Sequence, residues 1–365
     1  MRLQIKPGLR TVWRGEGTVQ VGLDGTHGAV LDGLTPSDRA LVELLVGGVD
    51  ESELPAASSS PQAQRAHALV RLLAAGGVLV DRRAGRDVLA RVAGNAPRLA
   101  PDAAVWSVVH DAGDGWELMA ARAQRVVEVR GAGRTGTALA TALAAAGVGQ
   151  VDLVDDRPVT AGDVGPAGAL PADVGRPADH VVLRTLAALR GPEAALPPIG
   201  SASGPDLAVL VHASAADSTE AAALVRAGLP HLAVVVRERG VLVGPLVLPG
   251  RTPCLRCLDL HRADRDPAWP RVLAQLTGRG GRVPEETASA LLAASLAALQ
   301  VLGHLDGRRR PAALGATLEV ELPDGLVSRR PWAPHPSCGC TSLVPSVEPA
   351  GHRGRSEEAE GTMEA

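Results

Sequence analysis

Two spacings in this chain could do chemistry. Cys254 and Cys257 stand three apart in "TPCLRCLDLHRADRDPAWP" (252–270), and Cys338 and Cys340 follow about 80 residues later in "HPSCGC". These are the only four cysteines of the chain. A structural zinc takes four ligands tetrahedrally and prefers thiolates. A CxxC knuckle supplies two from one tight turn, and "SCGC" supplies two more, with Gly339 easing the bend. The expectation is one zinc held by Cys254, Cys257, Cys338 and Cys340. A redox CxxC, or four unrelated small buried residues, would use the same letters. If all four thiols hold metal, none remains to act as a nucleophile.

The second spacing is glycine-rich. Gly131, Gly133 and Gly136 form GxGxxG in "RGAGRTG", directly after the short apolar run "RVVEV" (125–129) and before the helical "TALATALAAAGVG". In that context the first glycine makes the turn, the second lets phosphates reach the backbone, and the third lets helix and strand pack closely. N–H groups at the helix start then face an anion. Asp155 ends the next strand, "VDLVDD" (151–156), where an acid can hydrogen-bond ribose hydroxyls. Glycines serving only tight packing are the plainer alternative. A nicotinamide or flavin oxidoreductase would also use such a loop, but no convincing proton-transfer group accompanies it.

The elements that must position these residues follow from pattern. At 365 residues, two domains and a tail are expected. Net charge is −3 and 45% of residues are hydrophobic, as in a soluble globular protein. There are five Trp but no Phe or Tyr, so Leu, Val and Ala must fill the core, and stacking on single-stranded nucleic acid has little to work with. Lys6 is the one lysine. Residues 1–90 read as a small unit: strands at 18–22 and 28–31 around "DGTHG", helices in "TPSDRALVELLVGG" and "QAQRAHALVRLLAAGG", and a strand at 78–81. That order predicts a winged-helix-like α+β domain. Ten basic and ten acidic residues within it leave no net field for DNA and favour a packing or dimerisation role.

From about residue 100 to 343, strand and helix alternate, with further strands at "DLAVLVHAS" (206–214) and "HLAVVVRERG" (231–240) around the helix "STEAAALVRAG". This predicts an α/β fold with a doubly wound, Rossmann-like, mostly parallel sheet. "PEAALPPIGSASGP" (192–205) reads as a loop, "HRADRDPAWP" (261–270) as a solvated loop after the knuckle, "GRRRP" (307–311) as an exposed turn, and 344–365 as a disordered tail. The N-terminus lacks a signal-peptide pattern, and "ASALLAASLAALQVLGHL" (288–305) reads as a buried helix, so a cytoplasmic protein with no membrane contact is expected.

The glycine loop, Asp155, "DVGRP" (173–177) and "GPLVLPGRTPCLRC" with its later cysteine pair together resemble the ThiF/MoeB-type family, the bacterial relatives of ubiquitin-activating enzymes, over about residues 120–341. The resemblance implies a usually homodimeric doubly wound fold with a zinc-bound cysteine tetrad. It also implies ATP with Mg²⁺ and adenylation of the C-terminus of a small carrier protein. The match is incomplete. Gly131, Gly133, Gly136 and Asp155 fall on nucleotide-binding positions. A second family Asp falls at Arg157, the phosphate-holding Asn-to-Gln stretch at "DVGPA" (163–167), and a phosphate-contacting Lys at Ala178. The metal-binding Asp expected after "DLAVLVHAS" is missing, with Asp217 displaced by a few residues. A small unit before such a domain resembles the leader-peptide-binding partner proteins of azoline-forming systems. That resemblance implies a precursor leader peptide and a partner cyclodehydratase, with no catalytic residue in this chain.

Overall fold

The computed structural model describes residues 1–23, 28–54, 60–82, 95–110, 115–190, 204–278 and 283–341. Most of the "DGTHG" turn, most of the 53–61 loop, nearly all of the 192–205 loop and the 344–365 tail lie outside the described residues.

The first unit comprises β1 (Arg2–Ile5), β2 (Thr11–Gly15), β3 (Thr18–Val21), β4 (Ala29–Leu31), α1 (Pro36–Gly47), β5 (Val49–Asp50), α2 (Pro61–Ala75) and β6 (Leu79–Asp81). Both helices start where the sequence places a cap. Thr35 accepts from the Asp38 N–H while Asp38 returns the bond to the Thr35 N–H, and the Ser60 hydroxyl accepts from Ala63 N. Two three-stranded sheets form, β5-β1-β6 and β2-β3-β4. They close with the helices on Ile5, Val19, Val21, Leu45, Leu73 and their neighbours. The β1 and β2 strands are additions to the sequence reading; "RLQI" alternates polar and apolar but is only four residues long, and "TVWRG" carries little period-2 signal.

The rest runs α3 (Ala96–Val109), α4 (Gly115–Arg122), β7 (Val126–Arg130), α5 (Gly133–Ala145), β8 (Gln150–Val154), α6 (Ala178–Arg190), β9 (Leu207–Ala213), α7 (Ser218–Arg226), β10 (His231–Arg237), β11 (Gly240–Val247), α8 (Leu255–Arg265), α9 (Trp269–Gly278), α10 (Thr287–Asp306), β12 (Ala316–Glu321) and β13 (Val327–Pro331). One seven-stranded sheet has the order β13-β12-β11-β10-β9-β7-β8. Its β8-β7-β9-β10 part is parallel, and β11, β12 and β13 extend it antiparallel. Alternation along each strand feeds two cores. Leu207 and Val209 of β9 pack with α5 and α10, whereas Ala208 and Leu210 pack on the opposite face with Leu224 of α7 and Leu255 of α8. The sheet is therefore covered on both sides, as the near-continuous apolar runs of β9 and β10 require.

The stretch 261–270, read as a solvated loop, is helical instead. Cys254 opens α8 and the buried Leu255, Cys257 and Leu258 give that helix an inner face; Asp266 and Pro267 end it before α9 begins. α10 is long and apolar enough to span a bilayer, yet half of it is buried in the protein.

Arg122 joins this core to α3. It donates from Nε and Nη2 to both carboxylate oxygens of Asp306 at 2.9 and 2.6 Å, both side chains being buried, and its guanidinium lies over the Trp106 ring. Removing one partner of such a pair strands the other charge away from water. Asp306→Ala is expected to cost about 3–5 kcal/mol of stability in urea denaturation.

Candidate functional site

Going from β7 to β8 the chain steps to one side of β7, and β9 then lies on the other. The crevice at the C-terminal ends of β7 and β9 is thus a topological switch point, the place where open α/β sheets bind ligands. Gly131, Ala132 and Gly133 line it from β7, and Val211, His212 and Ala213 from β9. Their cavity holds about 190 Å³, below the roughly 300–1,000 Å³ common for small-molecule pockets.

Gly131 and Gly136 make the turn and the close packing their spacing predicts. Gly131 has φ +94°, and any Cβ there would run into the Val211 carbonyl of the neighbouring strand. At Gly136 a Cβ would overlap the Gly131 carbonyl oxygen, so only glycine lets α5 start this close to β7. The first-turn N–H groups of α5, which have no partner within the helix, start at the crevice.

Asp155 is where expected, but its carboxylate is already saturated. Oδ2 accepts from Ala132 N at 2.7 Å and Arg157 Nη2 at 2.8 Å; Oδ1 accepts from Arg157 N and Nε, both at 3.0 Å. Four bonds are about all a carboxylate can accept. Burial alone would raise the Asp155 pKa, but the Arg157 guanidinium and the two backbone donors outweigh it, and the group stays below its ordinary value. The residue standing where the family resemblance calls for a second acid has become the lid on the first.

The other departures also have structural answers. Asp217 caps α7, accepting from Thr219 N at 2.7 Å, so it serves the helix and no carboxylate immediately follows β9. Ala178 lines a small cleft beside Asp155 and Gly133, which puts a methyl group where the resemblance calls for a cation. Asp163 of "DVGPA" accepts from the backbone and hydroxyl of Thr160. Arg130, at the end of β7, is bound to Glu128 and Glu220. His212 is depressed by burial, against the pull of Glu220 and Asp217, and its Nε2 lacks a hydrogen-bond partner among the described residues.

Sequence reasoning missed Glu285. Its Oε2 accepts from both Thr135 N and Thr135 Oγ1 at 2.7 Å, and Oε1 lies hard against Gly133. Arg134 donates to the Glu285 carbonyl and to Thr287 Oγ1, at 2.9 Å each. The signal was faint: two acids precede α10 in "PEET", and capping needs only one. Glu286 is that one, accepting from Ala288 N and Ser289 N.

On the sheet's other side the four cysteines come together. Cys254 follows the turn after β11, Cys257 lies one turn into α8, and the segment after β13 brings Cys338 and Cys340, with Gly339 at φ +70° between them. Sγ–Sγ distances are 3.5 Å for Cys254–Cys338, 3.4 Å for Cys257–Cys340 and 4.0 Å for Cys254–Cys257; all four lie within 4.8 Å of one another. Tetrahedral thiolates about 2.3 Å from one ion would stand about 3.8 Å apart, so the donor set fits a metal. The neighbouring Cys254 thiol pulls the Cys257 thiol down to about 4, and burial pushes Cys340 up to about 11. No disulfide forms. Nearby His335 donates to Asp264 at 2.9 Å, His261 contacts the Ala333 carbonyl, and Trp269 Nε1 donates to Asp259. Trp269 is thus held within the chain.

No protein-family model matches this sequence, and no curated protein is significantly similar to it. Solved structures are. E. coli MccB with ATP aligns at 17% identity with a TM-score of 0.65, over 93% of this chain and 99% of MccB. The microcin C7 biosynthetic enzyme MccB in complex with N-formylated MccA aligns at 16% identity and 0.66, over 93% and 100%. This chain has the fold of MccB. PaaA aligns as well, at 17% identity and 0.64, over 89% of this chain and 98% of PaaA. The alignment with MccB spans 93% of this chain, more than the sheet domain alone supplies.

If Gly136 is needed for close approach, Gly136→Ala should lose about 1–3 kcal/mol through overpacking. Gly162→Ala, whose new Cβ meets nothing nearer than 3.7 Å, should change stability by less than about 0.5 kcal/mol. Thermal melts of the two variants side by side check the assignment.

Proposed function

We propose that this chain is a leader-peptide-binding platform, a zinc-knit protein of MccB-type fold that holds a precursor's leader and presents the remainder to a partner cyclodehydratase. The observation that carries this reading is the self-paired cradle. In a fold that MccB shares and in which MccB is known with ATP and with MccA, this chain turns Arg157 on Asp155, Asp217 on the start of α7 and Glu285 on the start of α5. Adenylation builds charge on phosphate oxygens, which cations and Mg²⁺ must offset. Each missing contact costs about 3 kcal/mol, so two leave the reaction roughly ten-thousandfold slower.

Peptide capture needs no such groups. Strands β2 and β4 are the edges of one of the two N-terminal sheets and carry the exposed Val12 and Val30. A leader adding a strand there would take backbone hydrogen bonds for affinity and side-chain contacts for selectivity. In this reading the winged-helix-like unit is the clamp, and the sheet domain is the platform. The protein acts in the cytoplasm as a homodimer, where a reducing environment suits a thiolate tetrad. Zinc at Cys254, Cys257, Cys338 and Cys340 pins the start of α8 to the segment after β13. A working adenylyltransferase for a small ubiquitin-like or sulfur-carrier protein is the second reading, favoured by the intact glycine turn and by Asp155.

Peptide-dependent pyrophosphate exchange separates the two. The platform should show no exchange above background while binding the peptide encoded beside its gene in fluorescence anisotropy; robust exchange would instead establish the enzyme. For the metal, elemental analysis should find about one zinc per chain, and Cys257→Ser should release it and lower the melting temperature.

A further inference from the structure

We infer that Glu285 is a built-in competitor for the phosphate position of the cradle, an autoinhibitory contact that keeps nucleotide affinity low. The inference rests on the reading of the crevice as a nucleotide-type cradle and adds what occupies it. A helix start that faces a crevice at a topological switch point is the natural seat of a phosphate. Here the chain's own carboxylate sits in that seat. Glu285 Oε2 takes both the backbone N–H and the hydroxyl of Thr135, and Oε1 lies against Gly133, where a Cβ would displace it.

Several features separate this from an incidental surface contact. Glu285 is 150 residues from Thr135 in the chain and caps a helix to which it does not belong. Its own helix does not need it, because Glu286 caps α10. Its backbone is held by Arg134, the one arginine within the glycine loop, which spends its Nη1 on the Glu285 carbonyl and the Thr287 hydroxyl. The carboxylate therefore removes two potential phosphate donors at once, the Thr135 N–H and the Thr135 hydroxyl, while the Glu285 carbonyl separately engages Nη1 of Arg134. Glu285 also lines the 190 Å³ cavity together with Gly131, Arg157 and His212. A phosphate entering beside the carboxylate would meet like charge at short range. A nucleotide can gain the two Thr135 donors only by displacing the side chain.

Isothermal titration of the full-length protein with ATP, and with adenosine as a phosphate-free control, tests the assignment. Glu285→Ala is expected to bind ATP at least tenfold more tightly than wild type. Glu285→Gln keeps an acceptor for the Thr135 N–H, and so protects the fold if the alanine variant does not survive, and should gain a smaller factor of several-fold. Adenosine affinity should not change. ATP affinities within twofold of wild type in both variants, or an equal gain for adenosine, would overturn the proposal. Pyrophosphate exchange and peptide binding by the same variants keep the two readings apart. Tighter ATP with no exchange and unchanged peptide binding supports both, and tighter ATP with brisk peptide-dependent exchange supports the plug while sinking the inactive platform.

Discussion

The first turn of α5 leaves N–H groups without partners inside the helix, and the glycines at 131, 133 and 136 force that turn into the crevice at the heart of the sheet. Water or an anion must satisfy such donors. In this protein a glutamate arriving from the start of α10 does so, and the consequence spreads. Arg134 turns to hold the incoming backbone, and the cavity that remains is small. At its other rim the same economy applies, with Arg157 folded onto Asp155. Charges that could face a ligand face one another.

A second constraint acts on the opposite flank. The four thiols join the α8 start to the chain beyond β13, two segments that the antiparallel extension alone would leave loosely associated. Around them pack Val225, Val247, Leu258 and Trp332, so the cluster sits within a small satellite core. Trp332 is hydrogen-bonded to Thr317 and covered by Arg330. A tetrathiolate centre here would make the β11–β13 half as firm as the parallel half, leaving the crevice bounded by rigid elements.

Much of this was legible in the chain's letters. The apolar runs of β9 and β10 and the turn at the glycine triplet signal their structure locally, and each is found. The tetrad was legible because few residue types bind metal and there are only four of them. The stretch 261–270 misled, since its polar run hid the fact that Leu255, Cys257 and Leu258 upstream set a helix face that carries through to Arg265. Strands β1 and β2 are short: four and five residues carry too little pattern to stand out, and sheet pairing completes them.

By itself, then, the sequence determined the doubly wound α/β class, the glycine turn, the acid at the next strand end and the donor set of the thiol cluster. All of these depend on residue type and short spacing. Tertiary structure decided which charges meet. That Glu285 would reach Thr135 across 150 residues, or Asp306 the buried Arg122 across 184, depends on how separate elements stack, and hydrogen-bond energies act only over a few ångströms in space. No local pattern encodes such encounters, so the state of the cradle became visible only once the chain was folded.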